Sequence, residues 1–196
     1  DKPLYKEKLR TRSYTVPDGD TNVFVELKKK YKGVVFKRRA VMTMDEARAY
    51  LMDGRRPDTS DQILSEIDWF LGLYHPTPKM HVAYDRLAMT GISDPTLRIT
   101  FDSNIRWRTN DTDLSSGTWG KKLLEDGYYV LEIKTVGAMP IWLADELSWL
   151  GIYKTSFSKY GRCFIEETAD KEYDETNLDS DNIITIAGAR NCAHFG

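Results

Sequence analysis

The chain predicts an α+β domain built mostly from antiparallel strands, on three observations. The first is charge at every second position in strand-like segments. Lys8, Arg10 and Arg12 alternate in KLRTR, Glu26, Lys28 and Lys30 in VELKKK, and Glu132 and Lys134 in VLEIK, where Leu131 and Ile133 lie between apolar or charged neighbours. Residues i, i+2 and i+4 of a strand share one face, so these strands carry one charged and one apolar face. The second is that the connections between the first strands are short, as an antiparallel meander requires. The third is the order of elements, strands then helices then strands, which fits α+β rather than alternating α/β. The polar faces are expected to line a cavity or groove, and the apolar faces to meet helices outside.

The elements follow in chain order. Residues 6–14 read as a strand, Pro17-Asp18-Gly19-Asp20 as a turn, 22–30 as a second strand, Tyr31-Lys32-Gly33 as a tight connection and 34–42 as a third strand. Thr43 or Asp45 can cap a helix over 45–53, which Gly54 ends. Ser60 or Asp61 can cap a second helix, where Ile63, Leu64, Ile67, Phe70 and Leu71 recur at helical spacing until His75-Pro76. Strands return at 79–89 and 96–102, followed by a separate short strand at 104–109 and a polar loop at 110–120. Residues 128–135 form the last charged strand. Pro140 suits the first position of an apolar helix over 140–150, and a final helix is expected over 156–165. Residues 166–182 are acidic and expected to be mobile, and 183–187 offer a short strand.

Composition narrows the function. The chain has 196 residues, 41% hydrophobic and 12% aromatic, enough for a sizeable core. No apolar run approaches the roughly 18 residues of a membrane span. Two cysteines, Cys163 and Cys192, make no disulfide framework, so a reducing, cytoplasmic compartment is the expectation. Three scattered histidines give no zinc spacing and no Ser/His/Asp triad, and no P-loop, kinase or dinucleotide glycine motif is present. The net charge is -2 but uneven. Residues 1–39 hold twelve Lys/Arg against five Asp/Glu, a net +7, and residues 166–181 hold eight Asp/Glu against one Lys, a net -7.

Lys and Arg fixed on sheet strands can neutralise phosphate oxygens, Arg through a planar fork and Lys as a point charge. Many such groups facing one another repel unless an anion joins them, so the ligand is expected to be a polyanion. Glu26 and Glu132 sit on the same faces. Each carboxylate has two readings: an internal salt bridge that holds the cations in place, or a ligand for a hard metal such as Mg²⁺ or Mn²⁺ shared with phosphate oxygens. A nucleic-acid interface would show an exposed basic patch with stacking aromatics. Tyr14, Phe36 and Trp107 lie near the basic strands, but no recognised nucleic-acid motif is present, and nucleic acid is not the expected partner.

Six segments in this order, KLRTRSY, VFVELKKKYKGVVFKRR, YDRLAM, LRITFDSNIRWR, YVLEIK and TSFSKYGR, resemble the vacuolar transporter chaperone (VTC) domain. That is the polyphosphate polymerase branch of the triphosphate tunnel metalloenzymes. The resemblance covers about residues 5–165 and implies an antiparallel β-barrel tunnel, basic residues inside and helices outside. It implies ATP and inorganic polyphosphate as partners, transfer of the ATP γ-phosphate to the growing chain, and Mn²⁺ or Mg²⁺ as cofactor. By residue matching it implies catalytic roles for Arg10, Arg12, Lys28, Arg86, Arg98 and Lys159, and metal binding by Glu132, with Glu26 a second candidate. Lys8, Lys37, Arg39 and Lys134 complete the expected phosphate contacts. Relatives carry further strands before the KLRTRSY segment, so residues 1–168 are expected to form a tunnel domain lacking its first wall strands. Residues 169–196 are expected to form an acidic, mobile tail. A triphosphate or tripolyphosphate hydrolase of the same fold, and a non-catalytic polyphosphate-binding module, are the alternatives.

Other residues have structural expectations. His75 and His81 read as loop and strand residues. Trp69, Phe70, Trp142, Leu147 and Trp149 read as core packing, as does Trp107. Lys29 and Arg38 have the wrong parity for the charged faces and are expected outside, their stems lying over apolar surface.

Overall fold

The computed structural model describes residues 4–175. The described chain forms two compact units. One comprises the chain up to Lys79 plus Asp111–Gly117, and the other Met80–Asn110 plus the chain from Thr118. Each builds its own antiparallel sheet. Among the described residues these are two open sheets and no closed barrel.

In the first unit, β1 (Tyr5–Arg12), β2 (Asn22–Tyr31) and β3 (Val34–Thr43) form a meander in the order β1-β2-β3. Alternation sorts its two faces as expected. Val23, Val25 and Leu27 of β2 and Ala40 and Met42 of β3 are buried. They pack on Ala47 and Tyr50 of α1 (Met44–Asp53) and Leu64, Ile67 and Phe70 of α2 (Gln62–Tyr74). Burial of this apolar set is the main stabilising term of the unit. Thr43 and Glu46 close a capping box at the start of α1. Gly54 ends it at φ 70, where a side chain would be strained. Asp61 caps α2 through the Ile63 amide. Arg48 of α1 holds the returning loop through Asp113, at 3.0 Å.

Lys29 and Arg38 fall on the helix side of the sheet, where both meet Glu66 of α2, at 3.2 and 3.0 Å. Their opposite parity therefore brings them to Glu66, away from the charged face. Trp69 departs from expectation: it is 68% exposed while its neighbour Phe70 is buried. One residue turns a helix by about 100°, which rotates Trp69 off the Leu64–Ile67–Phe70 face.

In the second unit, β4 (His81–Thr90), β5 (Arg98–Arg108), β6 (Lys121–Lys122) and β7 (Val130–Lys134) form one sheet, with β4, β6 and β7 all paired to β5. The expected strands at 96–102 and 104–109 are one continuous strand. The polar stretch Asp102-Ser103-Asn104 resembles a turn but forms an irregularity within the ladder. Asn104 sits at φ 49, and the pairing register shifts between Ala83 and Asp85. Ile105, Trp107, Leu123 and Cys163 form the small core of this unit, with Val82, Tyr84, Val130 and Phe157 against it.

Two helices complete the second unit, α3 (Ile141–Trp149) and α4 (Lys159–Glu175). Pro140 stands at the N-cap of α3 rather than within it. The packing expected of α3 is not found: Trp142 is 58% and Trp149 81% exposed, and Leu143 is the buried residue. Apolar periodicity identifies a helix face but not what covers it. Helix α4 begins at Lys159, with the Ser158 hydroxyl accepting from the Gly161 amide at 3.2 Å, and continues to Glu175 rather than ending at 165. The expected strand at 183–187, Cys192 and most of the acidic tail lie outside the described residues.

Candidate functional site

The register of the first sheet converts alternation into rows. Directly paired residues share a face, so β1, β2 and β3 contribute Arg10–Glu26–Arg39 as one row and Lys8–Lys28–Lys37 as the next. Lys6–Lys30 follow toward the hairpin end, and Arg12 pairs with Phe24 at the other end. The face thus gathers eight cations around one carboxylate.

Glu26 is that carboxylate, and it is 1% exposed. Oε2 accepts from Arg10 Nε at 2.7 Å and pairs with Nη2 at 2.5 Å. Oε1 accepts from Arg39 Nε at 2.9 Å and pairs with Lys37 Nζ at 2.9 Å. Burial by itself pushes this carboxyl up, but hydrogen bonds from Lys37, Arg10 and Arg39 outweigh it and hold the pKa at about 2. Both oxygens are occupied by cations, which is the arrangement of an internal counter-ion. Arg39 also lies over the Phe24 ring at 4.7 Å and Arg12 over Tyr14 at 4.6 Å, so aromatic faces fix two guanidinium planes.

One row away, Lys37 is the residue that reaches Glu26. Lys28 makes no ion pair among the described residues. Lys8 has an exposed surface, yet its pKa is lowered, first by desolvation where the sheet crowds it and then by the charges of Arg10 and Lys28. Like charges placed abreast are destabilising without a counter-anion.

The second sheet repeats the motif with different parts. Asp102 is fully buried in β5. Arg86, its cross-strand partner on β4, binds it through both arms of the guanidinium, Nε to Oδ1 at 2.5 Å and Nη2 to Oδ2 at 2.7 Å. Lys159, the first residue of α4, reaches Oδ2 at 2.5 Å. Burial pushes the Asp102 carboxyl up, and the hydrogen bonds of Arg86 and Lys159 pull it below its ordinary value. Both cations also lie over the Tyr84 ring, at 5.0 and 4.8 Å. Sequence reasoning missed Asp102 and Tyr84. Cross-strand alignment of YDRLAM with LRITFDSN was the signal that could have found the pair.

Glu132 differs from both buried carboxylates. It lies on β7 opposite Thr100, with its side chain 42% exposed. Lys134 pairs with it at 3.0 Å and Arg86 approaches at 3.8 Å. The Thr100 hydroxyl facing it is buried and has no hydrogen-bond partner. An open carboxylate beside an unsatisfied hydroxyl fits a hard cation that takes its other ligands from phosphate or water. No group of three His, Cys, Asp or Glu side chains suited to a metal occurs among the described residues. Arg98 and Lys134 form the adjacent row, and Arg98 makes no ion pair among the described residues.

The predicted residues therefore fall into two groups: Lys8, Arg10, Arg12, Glu26, Lys28, Lys37 and Arg39 on the first sheet, and Arg86, Arg98, Glu132 and Lys134 with Lys159 of α4 in the second unit. The family described as VTC domain matches residues 1–165. The chain belongs to the VTC domain family. No curated protein matches it. No helix among the described residues of this VTC domain is long and apolar enough to cross a bilayer. Burial, with the nearby charge of Glu166, pushes the Cys163 thiol up to about 12, which favours the thiol over the thiolate. His75 ends α2 at φ 42, and His81 is buried in β4.

Proposed function

We propose that this VTC domain is a metal-dependent polyphosphate polymerase that transfers the ATP γ-phosphate to a growing inorganic polyphosphate chain. The observation that carries the reading is the all-lysine row Lys8–Lys28–Lys37 beside a saturated carboxylate, a surface whose charge is completed by a polyanion. A closed tunnel belongs to the same proposal, supported by family membership and by the cationic face on each sheet.

The chemistry follows from where charge is fixed. Phosphoryl transfer spreads negative charge over the oxygens of the moving group, so positioned cations supply most of the stabilisation. Asp102 holds Arg86 and Lys159 rigid, and Glu26 does so for Arg10, Arg39 and Lys37, so little reorganisation accompanies phosphate binding. Arg98 and Lys28, which make no ion pair among the described residues, bind phosphate oxygens directly. Glu132 and Thr100 would hold Mn²⁺ or Mg²⁺, which when bound offsets triphosphate charge. The acceptor is a terminal phosphate already ionised at neutral pH, so no strong general base is needed.

Incubation with ATP and Mn²⁺, with products resolved on a gel, tests the reading. Polymer formation is the expected result. Phosphate release without polymer identifies a hydrolase instead, and binding without turnover identifies a non-catalytic module.

A further inference from the structure

The first sheet carries cations beyond those the polymerase reading uses. Lys6 and Lys30 pair directly across β1 and β2, one row past Lys8–Lys28–Lys37 toward the hairpin end. Both are exposed, and neither makes an ion pair among the described residues. The contrast with their neighbours on the other face is sharp. Lys29, between Lys28 and Lys30 in sequence, meets both Glu66 and Glu7, at 3.2 and 3.7 Å. Among the described residues, Glu7 and Glu66 thus answer Lys29 on the helix side of this hairpin, whereas Glu26 on the other side is shared by Arg10, Lys37 and Arg39 and does not reach Lys6 or Lys30.

Counter-charge also declines along the face. The Arg10–Glu26–Arg39 row contains its own anion, Lys37 of the next row reaches that same anion, and the Lys6–Lys30 row makes no ion pair among the described residues. Like charges directly opposite on paired strands cost stability, which a solvated hairpin end would avoid by mixing signs. From Arg10 to Lys6 the strand rises four residues, about 14 Å. That is farther than three linked phosphates extend, so a nucleoside triphosphate or tripolyphosphate seated near Glu26 leaves the last row uncovered.

We propose that Lys6 and Lys30 form an additional subsite for inorganic polyphosphate chains longer than tripolyphosphate, continuing the cationic track of the first sheet. The inference rests on the polyphosphate reading and adds chain-length selectivity to it. Each contact is exposed and singly weak, so the subsite acts through the number of phosphates it engages.

The test compares the full chain with the Lys6→Gln/Lys30→Gln variant, using calorimetric binding of long-chain inorganic polyphosphate and of tripolyphosphate. A Lys121→Gln/Lys122→Gln variant serves as the charge-matched control. The expected result is an affinity loss of about tenfold for the long chain alone. The slope of log affinity against log salt for the long chain falls by about two. Tripolyphosphate affinity stays unchanged, and the control binds both ligands as the unsubstituted chain does. Unchanged long-chain affinity, equal losses for both ligands, or an equal loss in the control overturns the subsite. An unsubstituted chain that binds neither ligand overturns the polyphosphate reading itself.

Discussion

The Glu26 cluster of the first unit and the Asp102 cluster of the second solve one problem in two ways. Each buries a carboxylate among cations that are held ready for phosphate. Around Glu26 all three cations come from neighbouring strands of one sheet, and their side chains are 37–51% exposed. Around Asp102 one cation comes from the cross-strand partner and the other from the start of α4, and they are 27% and 20% exposed. A lysine at a helix N-terminus opposes the helix dipole, and Asp102 offsets that repulsion. The first cluster is therefore local to a sheet, whereas the second fastens a helix to one. Removing the anion has different consequences in the two places.

The largest expected effect on stability is at Asp102. Replacing it with Asn leaves two largely buried cations without their counter-ion, and urea denaturation should show a loss of about 3 kcal/mol. Glu26→Gln, whose cations can turn to water, should cost about 1–2 kcal/mol. Equal losses would remove the distinction between a local and a fastening cluster.

A second expectation separates chemistry from stability. Glu132→Gln and Arg98→Ala alter groups that are open or unpaired, so denaturation midpoints should hardly move. Turnover with ATP and Mn²⁺ should fall about a hundredfold in each, which corresponds to about 2.7 kcal/mol of transition-state stabilisation. Full activity in Glu132→Gln would remove it from the metal site.

Acid titration sharpens the comparison further. Glu26 is depressed from 4.5 to about 2 in the folded state. A depressed carboxyl contributes stability that is present above its unfolded value and is lost as pH falls through its folded value. Stability should therefore decline between about pH 4.5 and 2, and Glu26→Gln should flatten that decline. The Asp102 contribution has the same sign, since its carboxyl is also held low.

The smallest signal is a thiol reaction. Cys163 is fully buried one helical turn after Lys159. In a Cys192→Ala background it should resist thiol reagents, become reactive on Asp102→Asn, and stay protected on Glu26→Gln. Protection in both variants would show that Lys159–Asp102 does not hold α4 in place.

The contrast also explains what the sequence made legible. Alternation in β1, β2 and β3 was enough to place Lys8, Arg10, Lys28 and Lys37 together, because strand parity and short turns fix both face and register. The same parity placed Lys29 and Arg38 opposite them. Asp102 was hidden because Asp-Ser-Asn has turn propensity, and pairing to β4 and β7 overrides it. Lys159 emerged only through family resemblance, since no local pattern tells where the start of a helix docks. Trp142 and Trp149 failed for a related reason: helical spacing does not specify a partner surface.

The account stands on the claim that one face of the first sheet, and not the other, holds phosphate. Tripolyphosphate affinity of Lys8→Ala/Lys28→Ala against Lys29→Ala/Arg38→Ala tests it most directly, since each removes two charges from neighbouring strands of this sheet, the two pairs lying on opposite faces. The prediction is a loss of at least about tenfold for the first pair and less than about twofold for the second. Equal losses in the two variants would contradict it.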